Sequence, residues 1–261
     1  MRILFLHQNF PGQFLHVAQA LRRTGSHDLL ALVPEGNGRS SPVPTRTYAF
    51  NMTRVRTGAP LADHYTRRVA RGEAAAAAMA ALRAEGYVPD LVIGHGGWGE
   101  TLFVKDVWPR VRVILHAEFF YAPEGSDVDF DPEFPEPDPL RARLQIRTRN
   151  TAMMQALLDA DQGVAPTKWQ ASRFPAGLRE RIAVVHEGID TDNIQPSPSA
   201  SVALRQSGVV LRLGDEVVTY VARNLEPYRG FHVGSVKNLG RYAASWSAWW
   251  PNRPSSRAAL T

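Results

Sequence analysis

Five short segments hold the residue types from which a ligand site could be built. His7-Gln-Asn-Phe-Pro-Gly-Gln-Phe14 sets Gly12 just before a run of helical spacing. A glycine there lets a ligand approach bare backbone, and the start of the following helix attracts phosphate; the same residues also make an ordinary tight turn. His95-Gly-Gly-Trp-Gly-Glu100 follows an apolar run. Its glycines, Gly96 and Gly97 first, leave N–H groups able to bind an anion, and His95 could donate to a phosphate or a sugar hydroxyl. The alternative is a histidine satisfied by backbone at a strand end. In His116-Ala-Glu-Phe-Phe-Tyr121 a carboxylate is flanked by aromatic rings. That suits a sugar, with the rings stacking and Glu118 binding hydroxyls or handling a proton; a half-buried Glu paired with an Arg would look the same. Arg223 and Arg229, beside Gly230, could clamp a diphosphate in bidentate fashion or sit on the surface. Asp127, Asp129 and Asp131 imitate the start of a calcium loop, but Pro132 stands where that loop needs glycine, so the stretch reads as solvated and no metal is expected.

These segments need elements to hold them. Arg2–Leu6, Leu29–Val33, Arg46–Phe50, Asp90–Gly94, Val111–Leu115, Gly163–Pro166 and Ile182–His186 are short apolar runs of strand type. Between them, Phe14–Leu21, His64–Glu85, Glu100–Trp108, Leu140–Ala160 and Lys168–Phe174 have helical spacing or composition. Alternation of this kind predicts an α/β fold, a Rossmann-like parallel sheet with helices on both faces. Ligands then bind beyond the carboxyl ends of the strands, where the loops above fall.

Composition narrows the function classes. The 261 residues are 44% hydrophobic and 21% charged, the balance of a globular chain able to bury a core. No stretch approaches the roughly 18 apolar residues of a membrane span. Cysteine is absent, which excludes disulfides, zinc–thiolate sites and a cysteine nucleophile and fits a reducing, cytoplasmic setting. The net charge of +5 is carried by the end of the chain. Val233–Thr261 has Lys237, Arg241, Arg253 and Arg257 and no acid, leaving 26 basic and 25 acidic residues in the body. A nucleic-acid binder needs a basic platform, and none is expected.

Taken together and in order, His7–Phe14, Ile93–Thr101, Glu118–Tyr121, Asp127–Pro135, Thr167–Gln170, His186–Asp190 and Val221–His232 resemble the glycosyltransferase family 4 group, almost continuously over residues 1 to 232. The resemblance implies the N-terminal half of a GT-B fold and transfer, with retention, from a nucleotide-sugar donor to an acceptor small molecule or glycan. It puts Arg223 and Arg229 on the donor diphosphate, with Gly12 close by, so that no metal or other cofactor is required. It puts Glu118 where many relatives carry a histidine facing the reacting sugar, which makes it the catalytic candidate. Gln13, His95, Gly96 and Gly97 fall on the acceptor or sugar side.

The family's Glu-x7-Glu pair has no counterpart in this chain, and composition changes abruptly after His232. The expected organisation is an acceptor domain over 1–188, a hinge over 189–214, the start of a donor domain over 215–232 and a poorly ordered tail over 233–261, as in a truncated transferase weak or inactive alone. The alternative is a non-catalytic, sugar- or partner-binding half of a split or degenerate enzyme, complemented by a chain carrying the donor domain.

Overall fold

The computed structural model describes residues 1–55, 58–124, 126, 136–204 and 208–215. The chain divides into two compact units, one formed by Met1–Val128 and Glu136–Gln195. In chain order this unit runs β1 Arg2–Leu6, α1 Leu15–Thr24, β2 Asp28–Pro34, β3 Thr45–Tyr48, α2 Asp63–Ala84, β4 Leu91–His95, α3 Val104–Val107 and β5 Arg112–His116. It continues with α4 Pro139–Arg149, α5 Thr151–Asp159, β6 Gln162–Ala165, α6 Lys168–Ser172, α7 Ala176–Arg179 and β7 Ile182–Val184. The seven strands form one parallel sheet in the order β3-β2-β1-β4-β5-β6-β7. The Rossmann-like α/β expectation is met.

Alternation along β1 explains the layering. Ile3 and Phe5 join Phe10, Phe14, Ala18 and Val33 in a core under α1. Leu4 and Leu6 join Ala75, Met79, Leu115, Met153 and Leu157 in a larger core under α2 and α5. Both faces of the strand are buried, as a parallel strand between helical layers requires. Leu4, Phe5 and Leu6 are fully buried, each contributing about 1.5–3 kcal/mol of apolar transfer. The sheet therefore holds its strand ends as a rigid edge.

Two helices differ from the sequence reading. Leu140–Ala160 is not one helix: α4 and α5 meet at Asn150, which keeps helical dihedrals (φ −77°, ψ −12°). Its side chain is buried and bonds the backbone of the loop after β5. The helix expected over Glu100–Trp108 shortens to the single turn of α3, because Glu100 is drawn inward to accept a bond from Tyr48 Oη at 2.9 Å. In the second unit, the described residues carry an antiparallel pair, β8 Ser201–Ala203 with β9 Val210–Arg212, inside the stretch expected as a hinge.

Candidate functional site

Strand order reverses beside β1: the chain steps outward through β2 and β3, then returns to place β4 on the other side. Such a switch point opens a crevice at the strands' carboxyl ends. Three histidines stand there. His7 follows β1, while His95 and His116 end β4 and β5 and pair with each other in the register. Their rings form a row, with centroids 5.4 Å apart from His7 to His95 and 5.2 Å from His95 to His116. All three are buried.

The backbone sets the orientation of two of these rings. Gly97 N–H donates to His95 Nδ1 at 3.0 Å, and Asn9 N–H donates to His7 Nδ1 at 2.9 Å. With Nδ1 accepting, the proton sits on Nε2 in each ring. His95 Nε2–H donates a hydrogen bond to Glu118 Oε2 at 2.9 Å. His7 Nε2 is buried with no hydrogen-bond partner among the described residues, as is His116 Nε2. His186 repeats the motif, accepting from Gly188 N–H at 3.0 Å. Burial drives the His7 pKa from 6.5 down to about 3 and that of His116 down to about 4. These rings are thus held neutral, with their Nε2 atoms buried.

Glu118 lies at the mouth, its side chain 42% exposed. The hydrogen bond from His95 holds its carboxyl below the ordinary range, with the Gln13 amide adding to the effect. Glu187 Oε1 approaches His116 Nε2 to 3.4 Å; burial and the nearby Glu118 push the Glu187 carboxyl up. The site therefore presents one firmly ionised carboxylate, a second that holds its proton more readily, and two buried imidazole Nε2 atoms without a hydrogen bond among the described residues, that of His116 facing Glu187. That set suits several hydroxyls presented by one neutral, polar ligand. Among the described residues, no group of three or more His, Cys, Asp or Glu could hold a metal ion.

Neighbouring elements brace this edge. From α2, Arg68 Nε donates to Gly97 O at 2.8 Å, and its guanidinium lies over the Trp98 ring at 5.0 Å. Arg71 bonds Gln8 and stands 3.9 Å from buried Glu100. Asn150 clamps Tyr121 from both sides, accepting from its N–H at 2.9 Å and donating to its carbonyl at 2.8 Å. Gln170 Nε2 donates to Glu118 O at 2.9 Å. Phe119 packs against Tyr121 and Trp169, with centroids 5.2 and 5.7 Å away, and forms an aromatic rim beside Glu118.

Gly12, Gln13, His95, Gly96, Gly97 and Glu118 thus gather at one edge. Gly12 has φ +46°, and a Cβ there would meet His7 Cε1 at 2.7 Å, so glycine is needed to let the turn close over the ring. The N–H groups of Gly96 and Gly97 are engaged inside the protein, on His116 O at 3.2 Å and His95 Nδ1 at 3.0 Å. A Cβ at Gly96 would meet Met153 Sδ at 2.6 Å. These two glycines orient His95 and admit Met153; their N–H groups are not left over for an anion, as the glycine density had implied. Arg223 and Arg229, like most of the acidic stretch with Asp127, Asp129, Asp131 and Pro132, lie outside the described residues. Sequence reasoning did not single out His7, His116 or Glu187. A signal existed for His7 in the repeated spacing of a histidine two residues before Asn9, Gly97 and Gly188, each time just past an apolar run, but that spacing does not pick out His116.

A family model described as Glycosyl transferase family 4 group matches residues 25–194, more than half of the chain. No curated protein matches the sequence significantly. Solved structures give distant likenesses. The apo UGT2 structure of Phytolacca americana is 13% identical with a TM-score of 0.47, over 76% of this chain and 55% of that one. A Streptomyces glycosyltransferase complexed with thymidine diphosphate is 17% identical with a TM-score of 0.39, over 64% and 49%. The UDP-GlcNAc 2-epimerase of Methanocaldococcus jannaschii is 14% identical with a TM-score of 0.35, over 70% and 45%. The chain thus spans about half the length of these structures, and likeness at this level says nothing about activity.

Proposed function

The chain belongs to the glycosyl transferase family 4 group, and from that premise we propose that its sheet unit is the acceptor-side half of a GT-B transferase that moves a sugar, with retention, from a nucleotide-sugar donor to a hydroxyl acceptor. One observation carries this reading: the His95–Glu118 pair at 2.9 Å, set beside the buried His7 and His116 Nε2 atoms on the edge where the strand order reverses. Such an edge offers fixed donors and one fixed acceptor to a polyol. It needs no reorganisation when a ligand arrives.

In this reading Glu118 is the catalytic residue. It accepts hydrogen bonds from sugar hydroxyls and orients the acceptor oxygen, while His95 acts as a positioning residue that keeps the carboxylate ionised and aimed. The bond from donor C1 to the diphosphate oxygen breaks, and its electron pair leaves with the diphosphate. The acceptor oxygen forms the new bond to C1 on the same face, and its proton passes to the departing phosphate oxygen. Arg223 and Arg229 are assigned to the diphosphate, and Gly12 to the turn that lets donor and acceptor approach. Gly96 and Gly97 serve by fixing His95.

The test is a panel of nucleotide-sugars supplied with simple glycoside and polyol acceptors, scored for released nucleoside diphosphate and for the anomeric configuration of any product. Retained configuration, with turnover about 100-fold lower in Glu118→Gln, is expected. An inverted product, or turnover indifferent to Glu118→Gln, would overturn the assignment.

A further inference from the structure

Away from the histidine row, α1 and the β2–β3 connection enclose an open groove of about 960 Å³, walled by Gly12, Gln19, Arg22, Arg23, Arg39 and Ser40 among others. Three guanidinium groups converge on it, and no carboxylate lines it. Among the described residues none of the three forms an ion pair; Arg22 Nη1 donates to Pro42 O at 2.9 Å, which fixes that side chain against the groove wall. Arg22 and Arg23 stand in the last turn of α1, where a cation complements the helix dipole. That accounts for two of the arginines. It does not account for Arg39, which arrives from another element and adds a like charge to the same hollow. Apart from the tail the chain is close to neutral, so this concentration of charge is local. Guanidinium groups bind phosphate by paired N–H bonds, and Ser40 adds a hydroxyl.

We propose that this groove binds a phosphate monoester or diester, with Arg23 and Arg39 as its principal contacts and Arg22 as a fixed wall. The groove starts at Pro11 and Gly12, the turn that closes over His7, and follows α1, whose 10 residues rise about 15 Å. A ligand lying along it has its phosphate at the arginines and its other end at the rim of the histidine site. Resting on the transferase reading, the ligand is an acceptor that carries a phosphate at some distance from the hydroxyl that receives the sugar.

The experiment uses the full chain without donor. Glycerol phosphate is titrated by calorimetry, and in a second arm the protein is sedimented with phosphatidylcholine vesicles with and without phosphatidylglycerol. Arg23→Gln with Arg39→Gln is compared with Arg141→Gln with Arg147→Gln, an equal loss of charge on the exposed face of α4. The expected result is binding that weakens about tenfold or more in the first pair and stays within about twofold of the parent in the second. Saturable binding of glycerol phosphate means a soluble phosphate ligand; binding to anionic vesicles alone means a phosphate presented on a lipid. Neither Arg23 nor Arg39 makes a bond within the described protein, so thermal melting of the first pair is expected to match the parent. Absence of binding in both arms, or equal weakening in the two double variants, overturns the proposal. Intact binding alongside an inverted product, or alongside turnover indifferent to Glu118→Gln, would refute the transferase assignment alone and leave the groove standing.

Discussion

Glu118 and His95 are joined by one hydrogen bond whose direction is set elsewhere, by the Gly97 N–H that occupies His95 Nδ1. This makes the carboxylate's acidity a readout of geometry. Because the His95 bond is the largest cause of its lowered pKa, His95→Gln should bring the Glu118 carboxyl back up toward the ordinary range, measured by carbon-detected NMR titration; an unmoved carboxyl would mean that the bond does not hold it. Gly12 gives a second residue-scale expectation. With φ at +46° and the His7 ring 2.7 Å from any added Cβ, Gly12→Ala should lower stability by about 1–3 kcal/mol, read by urea unfolding. A loss under about 0.5 kcal/mol, the range of an ordinary surface substitution, would show that the turn relaxes freely. At this scale the sequence was half legible. Glu118 and His95 stood out because a carboxylate among aromatics and a histidine among glycines are conspicuous. His7 and His116 did not, since their roles arise from strands brought side by side by a crossover, which no local window displays.

Elements decide how firmly the site is held. Asn150 joins α4 to α5 and pins both polar groups of Tyr121. Asn150→Ala leaves a half-buried N–H and C=O unpaired, so a cost of about 2–3 kcal/mol is expected, together with faster amide exchange at Tyr121; unchanged exchange there would deny the clamp. In the sequence this junction looked like the middle of one helix, because Asn150 keeps helical dihedrals and only its tertiary partner marks the break. The row of strand-end histidines sets a pH dependence. His7 and His116 titrate near 3 and 4 in the folded chain against 6.5 unfolded. Between those values the unfolded chain binds more protons, so stability is complete above about pH 6.5 and declines as pH falls, by up to about 1.4 kcal/mol per pH unit for each ring. Urea unfolding at stepped pH should show this slope, and His116→Asn should flatten it. A slope unaltered by that change would place the titrating groups elsewhere.

For the whole molecule, the parallel sheet was legible because its strands are continuous apolar runs between helical segments, and the order of those runs already placed the glycine-bearing loops at one edge. Several relations were not legible. Arg39 is separated from Arg22 and Arg23 by β2 and turns whose path only the fold defines, and the β8–β9 pair lies in a segment rich in Pro and Ser. Among the described residues no helix is long and apolar enough to cross a membrane. The central claim is that His7, His95, His116 and Glu118 together form a carbohydrate site. It is tested most directly by nitrogen-15 NMR of the histidine rings in the full chain, titrated with nucleotide-sugars and their free sugars. The ring signals of His95 and His116 should shift saturably, and Glu118→Gln should weaken that response about tenfold or more. Ring signals that stay fixed with every sugar, or that shift equally in the Gln variant, would contradict it.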